Sequence, residues 1–550
     1  MSALTGQPQP TTPTAPRPHG TPPRGLATTP ASSTTRGRFG RMFRHVPVWS
    51  QSAKDLVALG EAMVAELEGG KIDKPLGEVD DDENTATLDD GELRLPAGYT
   101  YFGQFVDHDI TFDPVSSLTK QSDPDALTDY RTPRFDLDNV YGRGPSDEPF
   151  LYEHDGLHLT VGKPVSSTPD FEGPDLPRTE TTKVALIGDP RNDENLVVSQ
   201  LQSAILRLHN KVVDRVLADT AGSGLSHDDV FKLAQQEVRW HYQWVVVHDF
   251  LPRLVGQDVV DDILVTDEYR VPGGGTVEST VADLRYFDWN DDPFMPVEFS
   301  VAAYRYGHSM VRPSYAINDR IPLPVRGVTD ADRIPIFSHD ADPLHNLNGF
   351  RELPGEWGFQ WKYFLSGIDD TAGPQDDHLP QPSYKIDHVL ARPLSTLPDS
   401  VAGKETVVSG MPKALAQELA VRNLLRGMQL GIPCGEDVAR CMAITPLTPE
   451  ELYDADGDRE AVAVPHAVRD RLAGHTPLWF YVLREAEVTA NGAHLGPVGG
   501  RIVAEVLVGL LAGDPLSFLS VDPTWTPTLP SKEPDRFTLA DLVNFAVHGA

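Results

Sequence analysis

The stretch Tyr99-Thr-Tyr-Phe-Gly-Gln-Phe-Val-Asp-His-Asp-Ile-Thr-Phe-Asp-Pro114 constrains the fold more than any other part of the chain. Read as a helix, it sets Gln104, Asp107 and His108 on one face at i, i+3 and i+4, with Phe102, Phe105, Val106 and Ile110 over the rest. A helix that apolar belongs in the interior. Buried Gln, Asp and His need partners, because an unpaired buried polar group costs about 1–3 kcal/mol. Three on one stripe predict a polar pocket inside a dry core. The alternative, a satisfied core histidine with a capping aspartate, suits any one of them alone better than the set with Asp109 beside it.

Composition sets the frame. A length of 550 residues allows three or four domains or one large helical one, and 40% hydrophobic content supports a sizeable core. The balance of 47 Lys+Arg against 81 Asp+Glu, a net charge of -34, argues against nucleic acid or an anionic membrane as partner and suits cation binding. The two cysteines, Cys434 and Cys441, make no disulfide framework. No apolar run approaches the ~18 residues of a membrane span. Residues 1–38 are rich in Pro, Thr, Ser and Gly and lack the apolar core of a signal peptide, so they are expected to be disordered. Cytoplasm is the default expectation, with export by another route left open. From Phe39 to Ala550 the composition is globular, with no linker or repeat, and reads as one domain.

Helical patterns recur between Pro-rich loops, and strand signals are sparse. Asn195 to Val216 steps through Val197, Leu201, Ile205, Leu208, Val212 and Val216, with Asp193 as its expected N-cap and Arg191 and Glu194 at its mouth. Further helices are expected over Val230–Leu251, Ala302–Val311, Lys413–Leu430 and Gly500–Leu511, the last apolar one. The one over Ala302–Val311 would carry Tyr304, Gly307, His308 and Val311 on one face. Asp80/Asp82/Asn84 and Asp454/Asp456/Asp458 imitate the start of a calcium loop but lack its later Gly and Glu, and read as solvated. Thr132-Pro-Arg-Phe-Asp-Leu-Asp138 is a better candidate. Thr132, Asp136 and Asp138 alternate hard oxygens, the Arg134 carbonyl can fill a gap, and Asp109 adds a further ligand for Ca²⁺, which wants six to eight oxygens.

Gly103-Gln-Phe-Val-Asp-His-Asp-Ile-Thr-Phe112 resembles the distal motif of the animal-type haem peroxidases. Arg191-Asn-Asp-Glu194 is similar to that family's Arg-x-x-Glu, Tyr304-Arg-Tyr-Gly-His308 to its proximal-His motif, and Arg422-Asn-Leu-Leu-Arg426 to its later Asn-x-x-Arg segment. His475-Thr-Pro-Leu-Trp-Phe and Leu495-Gly-Pro-Val-Gly-Gly resemble bacterial members. The catalytic motifs occur in the family's order.

The resemblance implies a mainly α fold: a single large helical domain over 39–550, with long loops and little sheet. It implies haem b as cofactor and an activity that reduces H₂O₂ through Compound I while oxidising small organic donors or halides. His308 would ligate iron, Asn423 would steer its other ring nitrogen, and Arg305 would pair with a haem propionate, with Arg426 in the same binding segment. His108 would shuttle the peroxide proton, Arg191 would stabilise developing charge, and Gln104 would hold water or halide. Asp107 and Glu194 match the family's ester-linking carboxylates, so the resemblance allows covalent haem. Asn195 excludes the sulfonium link of myeloperoxidase. Arg305 stands where cyclooxygenase-like members keep a radical Tyr, which counts against a fatty-acid dioxygenase. The intact His108/Arg191 pair counts against a catalytically inactive, calcium-stabilised interaction module. The reductant and oligomeric state are not indicated.

Overall fold

The computed structural model describes residues 37–549 except 66–94, 113–122, 125–126, 166–172, 272–274, 290–291, 320–332, 356, 370–378, 403–411, 457–460 and 535. Helices dominate, and one hydrophobic cluster joins them. Those that frame the site are α1 (Ala53–Glu61), α2 (Ala97–Ile110), α3 (Leu196–Asp219), α4 (His227–Val245), α5 (Leu419–Gln429), α6 (Gly435–Cys441), α7 (Leu478–Ala490), α8 (Pro497–Ala512) and α9 (Leu539–Val547). Among the described residues, sheet is confined to small pieces. The strand β1 (Gly37–Gly40) lies between β2 (Thr128–Asp129), antiparallel, and a parallel strand at Met295–Pro296. A hairpin pairs Leu264 with Ala282 and closes at Val271 and Gly275.

The apolar reading of the Tyr99 stretch holds. Every residue of α2 except Gln104 is buried. Each aromatic ring so buried contributes about 1.5–3 kcal/mol, and Phe105→Ala would cost about 3–5 kcal/mol. α2 ends where Thr111 turns extended; the Asp107 carbonyl accepts both from Thr111 N at 2.9 Å and from Thr111 Oγ1 at 3.0 Å. α2 packs on α3, which in turn packs on α4 and α9.

Several expected boundaries moved. The N-cap of α3 is Asn195, whose Oδ1 accepts from Val198 N at 3.0 Å. Asp193 is instead held by both terminal nitrogens of Arg178, at 2.7 Å each. The second expected helix runs on through a wide turn at Val246–Phe250 to Val255. Ala302–Val311 is not an α-helix: a wide π-turn at Glu298–Ala302 tightens into a 3₁₀ turn at Ala303–His308. Three residues per turn eclipses Arg305 with His308, yet Tyr304, Gly307, His308 and Val311 still line one cavity, as expected. Buried Glu298 anchors this deviation by accepting from Met42 N and Phe43 N at 3.0 and 3.2 Å. The helix expected over Lys413–Leu430 breaks at Glu418, because Leu397 N takes the Gln417 carbonyl at 3.0 Å. The last apolar helix is α9, not α8. The boundary expected at residue 39 falls inside β1, where Gly37 and Arg38 pair with Asp129 and Thr128. Asp80/Asp82/Asn84 and Asp458 lie outside the described residues; Asp454 is engaged by Arg469.

Candidate active site

α2, the Asp189–Asn195 segment, the Ala303–His308 turn and α5 enclose a cavity of about 610 Å³, within the ~300–1,000 Å³ usual for cofactor pockets. Gln104, Asp107, His108, Arg191, Glu194, Arg305, His308, Asn423 and Arg426 all line it. Residues separated by hundreds of positions thus converge as the sequence motifs require.

His108 is buried, and burial pushes its imidazole down to about 4. It is therefore neutral at pH 7. Its Nδ1 donates to Asn192 Oδ1 at 2.7 Å, and Asn192 Nδ2 donates to Gln202 Oε1 at 2.8 Å. With Nδ1 protonated, Nε2 keeps its lone pair. Arg191 is fixed by Asp189: Nη2 donates to Asp189 Oδ2 at 2.8 Å and to the carbonyls of His108 and Thr111 at 3.0 and 2.7 Å. Its guanidinium lies 4.5 Å over the Phe112 ring. The cation is thus tied to the backbone that carries the histidine.

Gln104 Nε2 donates to Glu194 Oε1, and Asn195 Nδ2 donates to Gln104 Oε1 at 3.1 Å. Burial pushes the Glu194 carboxyl up to about 7 against the pull of Arg191. For Asp107, burial works upward, but Arg305 and His108 outweigh it and hold the carboxyl below its ordinary value. Arg305 Nη1 donates to Asp107 Oδ2 at 3.1 Å and its Nε to the Ser300 carbonyl at 2.8 Å. Arg305, expected on a propionate, pairs here with Asp107.

On His308, Asn423 Nδ2 donates to Nδ1 at 2.7 Å, which leaves the ring proton on Nε2. Turning that amide by 180° would offer Oδ1, accept the Nδ1 proton and free Nε2 for a metal. Burial pushes this imidazole down to about 3, the neutral form a metal requires. Beside it, a Cβ built on Gly307 would meet nothing within 4 Å, so a flat group can approach the ring. With Arg305, Arg422 and Arg426 on the same lining, the residues fit a haem with two carboxylates.

Asp109, Asp136 and Asp138 bring carboxylate oxygens within 4.8 Å of one another. Asp109 is fully buried and neither oxygen has a hydrogen-bond partner. Burial, with Asp136 adding repulsion, pushes it well above the usual carboxylate range. An unpaired buried acid is what a cation relieves. Thr132 Oγ1 donates to Asp136 Oδ2 at 2.7 Å. The Arg134 guanidinium pairs with Asp292 at 3.2 Å, so a cation would use only its carbonyl.

Sequence reasoning assigned no role to Asn192, Asp189, Arg131, Arg422 or Trp479. Asn192 and Arg422 sit inside the motifs that were recognised. Asp189-Pro190 is a turn signal, and Asp189 Oδ1 accepts from Arg191 N at 2.8 Å. Arg131 has no local signal: buried, it bonds Asp189 through Nε at 3.1 Å and Asp138 through Nη1 at 2.9 Å, linking the cation loop to Arg191.

The animal haem peroxidase family model matches residues 116–326. Thyroid peroxidase of Mus musculus is 25% identical over 219 residues, 38% of this chain and 21% of that protein. A peroxidase of Drosophila melanogaster is 26% identical over 208 residues, 36% of this chain and 28% of its own length. The matched part therefore spans about a quarter of these relatives. Peroxidase A from Dictyostelium discoideum superposes with a TM-score of 0.50 at 13% identity, over 90% of each chain. A fatty acid alpha-dioxygenase of Arabidopsis thaliana does so at 0.53 and 14%, over 92% of this chain and 77% of that one. These superpositions speak for the fold alone. Over the matched part, and in the order of its motifs, the chain is similar to the animal haem peroxidases.

Proposed function

We propose that the chain is a haem peroxidase that reduces H₂O₂ and oxidises a small organic donor or a halide. One observation carries the reading: two imidazoles, His108 and His308, line one cavity, and Asn192 reserves His108 Nε2 as a base. Haem held by His308 would supply the electrons that reduce the O–O bond. His108 Nε2 takes the proton from the near oxygen of peroxide and returns it to the far oxygen, which leaves as water. Arg191 stabilises negative charge on that departing oxygen. Gln104, held between Glu194 and Asn195, positions water or halide. Ca²⁺ bound by Asp109, Thr132, Asp136, Asp138 and the Arg134 carbonyl would hold the helix that ends beside His108. Asp107 and Glu194 are the candidates for ester attachment.

An absorption spectrum of the holoprotein before and after H₂O₂ tests this. A Soret band that responds to peroxide in wild type, is altered or lost in His308→Ala, and is retained but slow to respond in His108→Ala is the expected result. Unchanged haem content and ligand-field bands in His308→Ala would overturn it. Oxygen uptake with a fatty acid, without donor oxidation, would favour the dioxygenase reading.

A further inference from the structure

Cys434, Asp437 and His475 line no part of the cavity and have no role in the reading above. Each offers one ligand atom, and these atoms lie within 4.8 Å of one another. Cys434 is the N-cap of α6, Asp437 follows at i+3, and His475 stands in the loop before α7. The two loops are stitched together. Gly435 N donates to the Thr476 carbonyl at 2.9 Å, and Thr476 returns its N and Oγ1 to the two Glu436 carboxylate oxygens at 2.9 and 2.7 Å. A Cβ at Gly435 would come within 2.0 Å of the Tyr481 ring, so glycine lets α6 close on α7.

A second observation points to a ligand. His475 Nδ1 is buried with no hydrogen-bond partner, which left alone costs about 1–3 kcal/mol. Trp49 stacks on the ring, centroids 3.6 Å apart and planes 5° from parallel, and fixes its plane. Arg440 Nη1 donates to Asp437 Oδ1 at 2.6 Å, the kind of contact that orients a ligating carboxylate. Cys434 Sγ donates to the Gly474 carbonyl at 3.9 Å, which holds it beside His475.

We propose that Cys434, Asp437 and His475 form a Zn²⁺ site separate from the haem cavity. Sulfur, nitrogen and oxygen donors together select a borderline-soft ion; Ca²⁺ and Mg²⁺ take oxygen alone. Ligand atoms around tetrahedral zinc lie about 3.3–3.8 Å apart, inside the spacing already present. Water takes the fourth position. The ion braces the start of α7, whose Trp479 donates Nε1 to the Arg305 carbonyl at 3.1 Å and meets His308 edge-on with ring centroids 6.3 Å apart.

The test uses the full holoprotein, reduced, equilibrated with ZnCl₂ and gel-filtered, with zinc, calcium and iron counted by elemental analysis. Wild type should retain stoichiometric zinc, and its zinc K-edge absorption should show one sulfur near ~2.3 Å. Cys434→Ser, His475→Gln and the milder Asp437→Asn should each bind zinc at least ~10-fold more weakly, by comparison with lost supporting contacts in other zinc sites, with calcium unchanged. Absence of retained zinc in wild type, a zinc shell without sulfur, or full zinc retention in folded Cys434→Ser would overturn the proposal. The wild-type spectrum decides the matter even if every variant misfolds.

Discussion

Asn192 is the residue whose removal separates the proposed chemistry from the fold. Its Oδ1 is the acceptor for His108 Nδ1–H in a buried site. In Asn192→Ala that N–H loses its acceptor, at about 1–3 kcal/mol. The ring escapes the penalty by moving its proton to Nε2, the nitrogen that must accept one from peroxide. At 1.36 kcal/mol per decade this shifts the tautomers by about 5–150-fold, so peroxide should react about 10–100-fold more slowly. Asn192→Asp keeps an acceptor. Gln202 Nε2, buried without a partner, can turn to donate to the new carboxylate. The added charge raises the His108 pKa. His108 is a base only above that pKa, so the wild-type rate should be level above pH ~5 and fall through about 4. Asn192→Asp should match wild type near pH 8 with this acid limb moved upward. Stopped-flow mixing with H₂O₂ across pH, with the Soret band as a check on haem content, measures both. A loss under about threefold in Asn192→Ala, small beside the usual acid–base contribution, or equal slowing in both variants with no shift of the limb, would refute the reasoning.

Arg191→Ala should slow the peroxide reaction by about 10²–10³-fold, the scale of a lost transition-state donor. It should also lower the melting temperature, since Arg191 Nη2 serves the His108 and Thr111 carbonyls; stopped flow and thermal denaturation read the two effects, and a rate loss under about fivefold would count against the distal assignment. Chelating Ca²⁺ should lower both melting temperature and peroxide rate, because an ion bound only by the native state at 100 times its Kd stabilises by about 2.7 kcal/mol. Asp109→Asn should be destabilising with Ca²⁺ present and stabilising after chelation, where it relieves an unpaired buried carboxylate; the same sign in both, or folded active protein that contains no calcium, would remove the ion from the account. After turnover with H₂O₂, haem should stay with the protein in acidified organic solvent. Glu194→Gln should release more of it than Asp107→Asn does, since Asp107 is already committed to Arg305 and Thr111. Complete extraction of unmodified haem from wild type would leave both carboxylates with structural roles.

The residues that line the cavity were legible because they are written in short local strings. A helix places i, i+3 and i+4 together whatever surrounds it, so Gln104, Asp107 and His108 could be assigned to one face before any contact was known. Burial was legible for the same reason, since aromatic residues around that face leave no side for water. Boundaries were less so where distant segments compete for backbone groups. Leu397 N breaks the helix at Glu418, and Glu298 accepts from Met42 and Phe43 ahead of a 3₁₀ turn that periodicity read as α.

The sequence by itself determined which residue types could take part, and their order along the chain. Tertiary structure alone decided who holds whom. Asn192 could be named from its motif, but its bond to His108 joins residues 84 positions apart. Arg131 ties Asp189 to Asp138, Arg305 pairs with Asp107 across 198 positions, and Cys434 meets His475. Such pairs depend on packing between elements, and side-chain periodicity carries no information about which elements will meet.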